Sequence, residues 1–236
     1  MRLLVTRPEP DATRTADALV ALGHTPILCP MLDIVREPPR PLPAGCQAIA
    51  ATSSNAIRAL AAHPDAAAIR SLPLFAVGDR SAVEARRLGF VAARSAGGGL
   101  PELCEMIVSD LDPAEGPILY AAGDVQSGDL AAGIGAAGFA VATAILYRSV
   151  ARPRLSDAAL AAFRSGGIDG VLLFSARSAE AFVTALAADG LSPLPETIVA
   201  FAISEQAAAP LAGALRGPVR SAARPEQIAL FALLEA

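Results

Sequence analysis

The stretch AATSSNAIRAL at residues 50–60 contains the unit from which the chain is built. Small apolar residues that predict a buried strand lead into a polar turn, and an alanine- and leucine-rich segment that predicts a helix follows. LLFSARSAEAF at residues 172–182 repeats this order and aligns Ser175 with Ser53. A strand followed by a polar turn and a helix is typical of parallel sheets that helices cover on both faces.

The same unit recurs along the chain, with Gly23, Gly89 and Gly138 placed where a helix ends and another strand begins. Apolar strands are predicted at residues 3–6, 48–52, 74–77, 116–120, 170–174 and 198–203. The fold class predicted from this alternation is α/β, with flavodoxin- or Rossmann-like parallel sheets.

Three further pairs of segments resemble each other, and they occur in a permuted order. They are residues 74–89 with 200–215, residues 100–107 with 224–231, and residues 6–28 with 121–143. The sequence therefore predicts a permuted duplication that gives two similar domains. The predicted boundaries are residues 1–35 plus 153–236 for a discontinuous first domain, 40–147 for the second, and 30–39 and 144–153 for the inter-domain crossings.

Composition limits the functions that the chain can have. Hydrophobic residues make up 53% and aromatic residues 4%, which suits alanine-rich helices packed closely on sheets. No apolar run approaches the ~20 residues that span a membrane. Arg7, Pro8 and Glu9 interrupt the first apolar segment before it reaches signal-peptide length. We therefore expect no membrane association and a cytoplasmic location.

All 19 basic residues are arginine, against 23 acidic residues and a net charge of −4. Scattered arginines in an acidic chain predict no nucleic-acid partner. The absence of lysine excludes Schiff-base chemistry and a P-loop. The three cysteines and two histidines lack the spacing of a zinc site, so no metal is expected. Cys29, Cys46 and Cys104 are interpreted as small core residues.

A G-x-G-x-x-G pattern at Gly133, Gly135 and Gly138 suggests a dinucleotide loop, but its surroundings are wrong for one. That loop needs its glycines between a strand and the start of a helix. Here a helix predicted at 128–137 contains the first two glycines, and Gly138 ends it before a strand at 139–147. Phosphates would meet the negative end of the helix dipole, so the match is interpreted as accidental.

Polar residues collect at the carboxyl ends of the predicted strands, where open parallel sheets bind their ligands. Hydroxyls, arginines and helix N–H groups favour anions there, especially carboxylates and phosphates. We expect both domains to turn these ends toward a shared cleft. The candidate binding residues are Arg7, Thr52, Ser53, Ser54, Asn55, Gly78, Ser81, Ser175, Ala176, Arg177, Ser178, Ser204 and Gln206.

The same residue types also begin helices without binding any ligand. Thr6 with Glu9 and Ser81 with Glu84 fit capping boxes, and the arginines are equally well explained as solvated surface charges. No nucleophile–base pair is evident. An enzyme with this sequence would therefore act chiefly by binding and shaping its substrate.

The chain resembles the uroporphyrinogen-III synthases over essentially its full length. The resemblance rests on LLVTRPEPDATRTADALVALGHTPILCPML, AATSSNAI, FAVGDRSAVEARRLGF, ILYRSV and LLFSARSAEAF. It implies two α/β domains joined by a two-stranded β-ladder, and a monomeric enzyme without cofactor or metal. It also implies a substrate, hydroxymethylbilane, that porphobilinogen deaminase could hand over transiently.

The implied reaction closes this linear tetrapyrrole while inverting its terminal pyrrole ring, with loss of water. The hydroxyl departs to give an azafulvene, the substituted carbon of the terminal ring attacks, and a spiro intermediate fragments and recloses. Uncatalysed closure gives the symmetric isomer, so such an enzyme must fold the bilane. The many carboxylates of the substrate match strand ends that favour anions.

By resemblance, Tyr147 stands where the family has a tyrosine suspected of helping the hydroxyl leave, and the alternative is a tyrosine packed in the ladder. Ser53, Ser81 and Ser175 correspond to hydroxyls near the substrate. At Ser204–Ala208 the chain departs from the usual Gly-Pro-Thr-Thr-Ala and introduces Glu205. This departure favours a non-catalytic tetrapyrrole carrier or regulator. A two-domain sugar-nucleotide transferase is a third interpretation, against which the lack of an acidic metal pair counts.

Overall fold

The structure, a computed structural model, describes residues 1–126 and 128–235. It divides into two compact units. The first unit comprises Met1–Asp33 and Val150–Ala236, and the second comprises Ile34–Ser149. The chain therefore passes from one unit to the other twice.

Strands and helices alternate in both units. The strands are β1 (Arg2–Val5), β2 (Thr25–Leu28), β3 (Leu32–Arg36), β4 (Ala48–Ala51), β5 (Leu74–Ala76), β6 (Ala93–Ser95), β7 (Ile118–Gly123), β8 (Val141–Ala151), β9 (Gly170–Leu173), β10 (Val199–Ala202) and β11 (Val219–Ser221). The helices are α1 (Asp11–Ala21), α2 (Ser54–Ala61), α3 (Ala66–Ile69), α4 (Asp79–Arg87), α5 (Leu100–Asp110), α6 (Leu130–Gly135), α7 (Asp157–Arg164), α8 (Ala176–Ala188), α9 (Glu205–Ala208) and α10 (Gln227–Ala232). None of these helices is long and apolar enough to span a bilayer.

The first unit contains a five-stranded sheet in the order β11–β10–β9–β1–β2, and its neighbouring strands run parallel. Leu4 and Val171 pack on one face with residues of α7 and α8. Leu3 and Leu172 pack on the other face with residues of α1 and α10. The central strands are buried and apolar from Leu3 to Val5 and from Val171 to Leu173, because both faces are covered.

The second unit contains a six-stranded sheet in the order β3–β8–β7–β4–β5–β6. The pairings from β8 to β6 are all parallel. On one face of this sheet, residues of α2 and α4 pack against Ile49 and Ala51. On the other face, residues of α5 and α6 pack against Ala48 and Ala50. The predicted α/β class with two parallel-dominated sheets is confirmed.

The two sheets share one strand order. The first sheet reads β11–β10–β9–β1–β2, and five strands of the second read β6–β5–β4–β7–β8. The repeated segments at 50–60 and 172–182 thus follow the middle strand of each set. This order is what a permuted duplication leads one to expect. The duplication, the domain boundaries and the inter-domain ladder stay predictions.

Glycine ends the helices where the sequence predicts it. Gly23, Gly89 and Gly138 follow α1, α4 and α6 with φ of +79°, +95° and +87°, a region that glycine enters without steric cost. The predicted strand bounds hold to within one residue at each end, except for two strands. β7 begins at Ile118 rather than at residue 116, because Gly116 has φ +129° and Pro117 has no N–H to donate. β8 continues past Tyr147 to Ala151.

The G-x-G-x-x-G pattern lies where the sequence analysis predicts. Gly133 and Gly135 belong to α6, which ends at Gly135, and Gly138 follows the helix. A Cβ at Gly133 would lie 2.5 Å from Sγ of Cys104 in α5, whereas a Cβ at Gly135 would meet nothing within 4 Å. Gly133 therefore serves the close packing of α5 against α6.

We expect Gly133→Ala to destabilise the chain, because overpacking costs about 1–3 kcal/mol and exceeds the ~1 kcal/mol gained in helix propensity. Gly135→Ala is the matched control and should be neutral or slightly stabilising. Urea unfolding followed by circular dichroism measures both. In a Cys104→Ala background, Gly133→Ala should become stabilising. Equal unfolding midpoints for the two single variants would show that the helices do not approach closely.

Asp189 ties the end of α8 to the start of α7. Its carboxylate accepts hydrogen bonds from the Leu155 N–H at 3.0 Å and from Nη1 of Arg154 at 2.7 Å. The backbone hydrogen bond, followed by that of Arg154, lowers the pKa of Asp189 below its usual 3.8, because both favour the ionised form.

A lowered pKa in the folded state gives stability that is present above about pH 4 and is lost as the pH falls through the folded pKa. Asp189→Asn should therefore lower the melting temperature at pH 7, and the difference from the parent should shrink below pH 3.8. Thermal melts at pH 7, 5 and 3 test this expectation. A difference that stays constant from pH 7 to pH 3 would assign the effect to lost geometry rather than to charge.

Candidate active site

The hydroxyls of the second unit gather where β4 ends. Thr52, Ser53 and Ser54 follow this strand directly, and β5 and β7 flank it on either side. Ser53 has extended φ and ψ of −148° and 137° and is the N-cap of α2. Its Oγ accepts a hydrogen bond from the Asn55 N–H at 3.1 Å. The predicted capping role of Ser53 is thus confirmed.

Tyr147 reaches this turn from β8. Its hydroxyl donates a hydrogen bond to Oγ of Ser53 at 3.2 Å, and the residue is 7% exposed. Because β7 lies between β8 and β4, the side chain crosses the end of β7. Ser53 therefore accepts from both Asn55 and Tyr147, which uses both lone pairs of its oxygen. Any further hydrogen bond of the Ser53 hydroxyl must be one that it donates.

Tyr120 reaches the same turn from the opposite face of the sheet. Its hydroxyl lies 3.1 Å from Oγ1 of Thr52, and its ring packs with the α5 and α6 residues while Tyr147 packs with those of α2 and α4. Tyr120 is not among the candidate residues predicted from the sequence. The sequence does carry a signal, because the chain has two tyrosines and each of them ends a predicted strand.

Ser81 and Glu84 do not form the predicted capping box, so that prediction is wrong. Gly78 is the N-cap of α4, and Ser81 lies inside the helix with its Oγ 3.1 Å from Oγ of Ser54. A tertiary hydroxyl pair between α2 and α4 replaces the local cap. A Cβ at Gly78 would meet nothing within 4 Å, so the glycine leaves open space at the helix start.

Glu84 joins α4 to α2 through Arg58 and pairs with Arg87 within its own helix. Its carboxylate lies 2.7 Å from Nε of Arg58 in α2 and 3.0 Å from Nη2 of Arg87 in α4. The hydrogen bond with Glu84 raises the pKa of Arg87. Nη1 of Arg58 donates to Oδ1 of Asn55 at 2.8 Å. Glu84 thus orients Asn55 through Arg58.

Arg7 is buried in the first unit, so its interpretation as a solvated surface charge is wrong. Nη1 donates to Oγ1 of Thr15 at 3.1 Å and to Oε1 of Gln227 at 3.0 Å. Nη2 lies 3.8 Å from Oδ2 of Asp11. The guanidinium carbon lies 4.2 Å from the centre of the Phe174 ring, a cation–π contact. Arg7 therefore joins α1, α10 and the residue that follows β9.

The predicted capping box of Thr6 with Glu9 is also wrong. Thr6 is buried, and its hydroxyl donates to the Leu172 carbonyl at 2.7 Å. The Glu9 carboxylate accepts from the N–H of Thr13 at 3.1 Å instead. A hydroxyl at the end of a central strand finds a partner in the neighbouring strand before it finds one in the helix that follows.

The turn after β9 repeats the cap seen after β4. Oγ of Ser175 accepts from the Ser178 N–H at 3.1 Å, and its hydroxyl donates to Oγ of Ser178 at 3.0 Å. Ala176 is the first residue of α8, Arg177 is half-buried, and Ser178 is buried. The two corresponding serines, Ser53 and Ser175, thus have the same local role.

The altered segment Ser204–Ala208 forms the short helix α9. Oγ of Ser204 accepts from the Ala207 N–H at 3.2 Å, so this hydroxyl also caps a helix. Glu205 and Gln206 are exposed on its first turn. In these caps the serine oxygens act as hydrogen-bond acceptors. Their contact with substrate stays a prediction, as does that of the other candidate residues.

The cysteines carry no sign of reactivity. Burial raises the pKa of Cys29, Cys46 and Cys104, which keeps these groups as thiols near neutral pH. The ring of His63 accepts at Nδ1 from the Asp65 N–H at 3.1 Å and lies 3.0 Å from the Arg40 carbonyl at Nε2. Within residues 1–126 and 128–235, no three His, Cys, Asp or Glu side chains are grouped as metal ligands.

The fold and the strand-end hydroxyls define an α/β protein whose parallel sheets present polar turns at the carboxyl ends of their strands, where such sheets bind ligands. The family model for uroporphyrinogen-III synthase HemD matches residues 13–232. The chain belongs to this family.

Two solved structures are similar in fold. Uroporphyrinogen-III synthetase from Helicobacter pylori has 17% identity and a TM-score of 0.65, with 100% of this chain and 99% of that chain covered. A mutant uroporphyrinogen III synthase from the extremely thermophilic bacterium Thermus thermophilus has 18% identity and a TM-score of 0.56, with 100% of this chain and 98% of that chain covered. None of the curated proteins compared with the chain matches it.

Family membership confirms the resemblance, the enzyme class and the function predicted from the sequence. The chain is a lyase-type enzyme of tetrapyrrole biosynthesis that closes hydroxymethylbilane to uroporphyrinogen III with loss of water. Neither the family match nor the similar structures favour the non-catalytic interpretation that the Ser204–Ala208 departure suggests.

We expect Arg7→Ala to lower the free energy of unfolding by about 2–4 kcal/mol, because it leaves buried partners of a charged group without their donor. Arg14→Ala is the control, since Arg14 pairs with the same Asp11 from a side chain that is 46% exposed. Its cost should stay below about 1 kcal/mol. Thermal unfolding followed by circular dichroism compares them. Similar costs for both variants would show that the Arg7 contacts do not support the fold.

Proposed function

We propose that Tyr147 and Ser53 together protonate the leaving hydroxyl of hydroxymethylbilane. The observation that carries this proposal is the 3.2 Å hydrogen bond from the Tyr147 hydroxyl to Oγ of Ser53 at the carboxyl end of β4. Because both acceptor positions of Ser53 are engaged, its own O–H points to a further acceptor. The hydroxyl oxygen of the substrate is that acceptor.

The proton moves along this chain in one step. Ser53 gives its proton to the hydroxyl, the C–O bond breaks and water leaves, while Tyr147 gives its proton to Ser53. The bilane then carries the positive charge of an azafulvenium and Tyr147 carries the negative charge of a phenolate. The proton released when the ring closes returns to Tyr147, so the pair is restored. A phenol suits this role because it donates a proton from a neutral state at neutral pH.

We propose that the remaining strand-end residues bind the carboxylates of the substrate. Thr52, Asn55 and Gly78 belong to the turns at the starts of α2 and α4, where backbone N–H groups favour negative charge. Ser175 and Arg177 offer the same chemistry at the start of α8. Ser204 and Gln206 belong to a turn that Glu205 makes less favourable to an anion. We therefore propose that these two residues contribute least to binding of the substrate carboxylates.

We further propose that the chain acts as a cytoplasmic monomer and takes hydroxymethylbilane by transient hand-over from porphobilinogen deaminase. The lability of the substrate supports hand-over, since free hydroxymethylbilane closes to the symmetric isomer. Family resemblance supports the monomer. The two-domain organisation and the duplication belong to the same proposal, and the common strand order of the two sheets supports them.

A coupled assay tests the proposed function. Porphobilinogen deaminase supplies hydroxymethylbilane, and the oxidised porphyrin isomers are separated by chromatography. We expect an excess of type III over type I porphyrin. Tyr147→Phe should lower kcat on the order of 10²-fold, because it removes the proton donor and keeps the ring. Ser53→Ala should lower kcat by a comparable factor, since it interrupts the same proton path.

Tyr120→Phe is the matched comparison, because it removes the other tyrosine hydroxyl at the same turn. This variant should raise KM and change kcat by less than about threefold, since its hydroxyl supports Thr52 and lies outside the proton path. Equal losses of kcat for the two tyrosine variants would contradict the role of Tyr147. Type I porphyrin alone from folded parent protein would instead favour tetrapyrrole binding without catalysis.

A further inference from the structure

The pairing of β7 with β8 is irregular at one point. The strands pair in register from Ile118 with Val141 to Ala122 with Ile145. The next pair is Gly123 with Tyr147, so Leu146 is an extra residue on β8. A β-bulge of this kind turns the side chains that follow it toward the other face of the sheet.

The bulge decides which face Tyr147 occupies. Up to this point, Ala144 packs on the face covered by α2 and α4, and Ile145 belongs to the other face with Ala122. Regular alternation would place Leu146 with Ala144 and Tyr147 with Ile145. In the structure, Leu146 and Tyr147 both pack on the α2 and α4 face. This is the face on which α2 begins at the Ser53 cap.

Gly123 then makes room for the tyrosine ring. A Cβ at Gly123 would lie 2.5 Å from Cζ of Tyr147 and 2.9 Å from each Cε atom. Distances this short are not tolerated between real carbon atoms, so a side chain at this position would displace the ring. The φ of Gly123 lies outside the left-handed region, so space rather than backbone conformation requires the glycine.

Asp124 holds the backbone on the C-terminal side of the tyrosine. Its N–H donates to the Tyr147 carbonyl at 2.9 Å, and its Oδ1 accepts from the Ser149 N–H at 3.1 Å. The residue before Tyr147 is the bulge, and the residues after it are held to the end of β7. The main chain that carries the tyrosine is therefore fixed from both directions.

We propose that Gly123 is a positioning residue for the reaction, which together with the bulge at Leu146 and with Asp124 fixes the Tyr147 hydroxyl beside Ser53. The inference rests on the proposed function of Tyr147. Gly123 does not act on the substrate itself. It sets the place of the phenol oxygen, and a displacement of about 1 Å at a reacting group can lower a rate by about 10²-fold.

Gly123→Ala tests the proposal in the coupled assay. We expect kcat to fall about 10- to 100-fold with KM changed by less than about threefold, because a displaced proton donor affects the transition state more than binding. In a Tyr147→Phe background, Gly123→Ala should lower kcat by less than about twofold further. Gly135→Ala is the matched control, since a Cβ there meets nothing within 4 Å, and it should leave kcat unchanged.

A second measurement reads the position of the ring without using activity. The chain has two tyrosines and no tryptophan, so ring-labelled tyrosine gives two assignable sets of NMR signals, and Tyr120→Phe identifies them. Gly123→Ala should shift the Tyr147 signals and leave those of Tyr120 in place. If Gly123→Ala does not fold, Asp124→Ala replaces it, because Asp124 is exposed and its loss introduces no overlap. That variant should lower kcat about 3- to 10-fold, again only while Tyr147 is present.

Unchanged Tyr147 signals and unchanged kcat in folded Gly123→Ala would overturn the inference, while an inactive Tyr147→Phe would leave the proposed function standing. A further full loss of kcat on adding Gly123→Ala to Tyr147→Phe would also overturn it, because Gly123 would then act independently of the tyrosine. Shifted Tyr147 signals in a chain whose Tyr147→Phe variant keeps its kcat would sink the proposed function, and with it any catalytic role for Gly123.

Discussion

The hydrogen bond between the Tyr147 hydroxyl and Oγ of Ser53 depends on the space that the end of β7 leaves for the tyrosine side chain. Parallel strands end at one edge of a sheet, so side chains from β4 and β8 can meet only by crossing the strand between them. Tyrosine has the reach for this crossing, and Gly123 leaves the path open. The contact of Tyr147 with Ser53, and the proton path proposed for this pair, follow from that single crossing.

The same arrangement of strand, capping serine and helix occurs in both units. A serine that ends the middle strand caps the following helix, Ser53 before α2 and Ser175 before α8. The cap stabilises the helix and at the same time fixes a hydroxyl oxygen at the sheet edge. The units differ in what surrounds the cap. A tyrosine contacts it in the second unit, whereas a buried arginine stacked on Phe174 lies near it in the first.

Much of this architecture could be predicted from the sequence because it depends on local rules. Glycine at helix ends, serine at helix starts and apolar strands of a doubly covered sheet leave a short-range pattern. The two capping boxes failed where a tertiary partner displaced a local one. Thr6 bonds a neighbouring strand and Ser81 bonds Ser54, and neither pairing leaves a mark in adjacent residues.

The bulge at Leu146 and the role of Gly123 could not be predicted for a related reason. Register is a property of two strands together, and a shift by one residue leaves the sequence of each strand unremarkable. Family resemblance predicts Tyr147 as a site residue, but the face on which it lies depends on that shift. Tyr120 was missed because its hydroxyl is brought to Thr52 from the opposite face of the sheet.

Ser53 has two hydrogen-bond partners, and each requires a different property of its side chain. The Asn55 N–H requires a hydrogen-bond acceptor on a short side chain, which aspartate or asparagine could also supply. The proton path proposed for Ser53 requires an oxygen that both accepts and donates a hydrogen bond, which a carboxylate cannot do. On the proposed proton path, serine and threonine meet both requirements, and Ser53→Asp should keep the helix cap while ending the proton transfer.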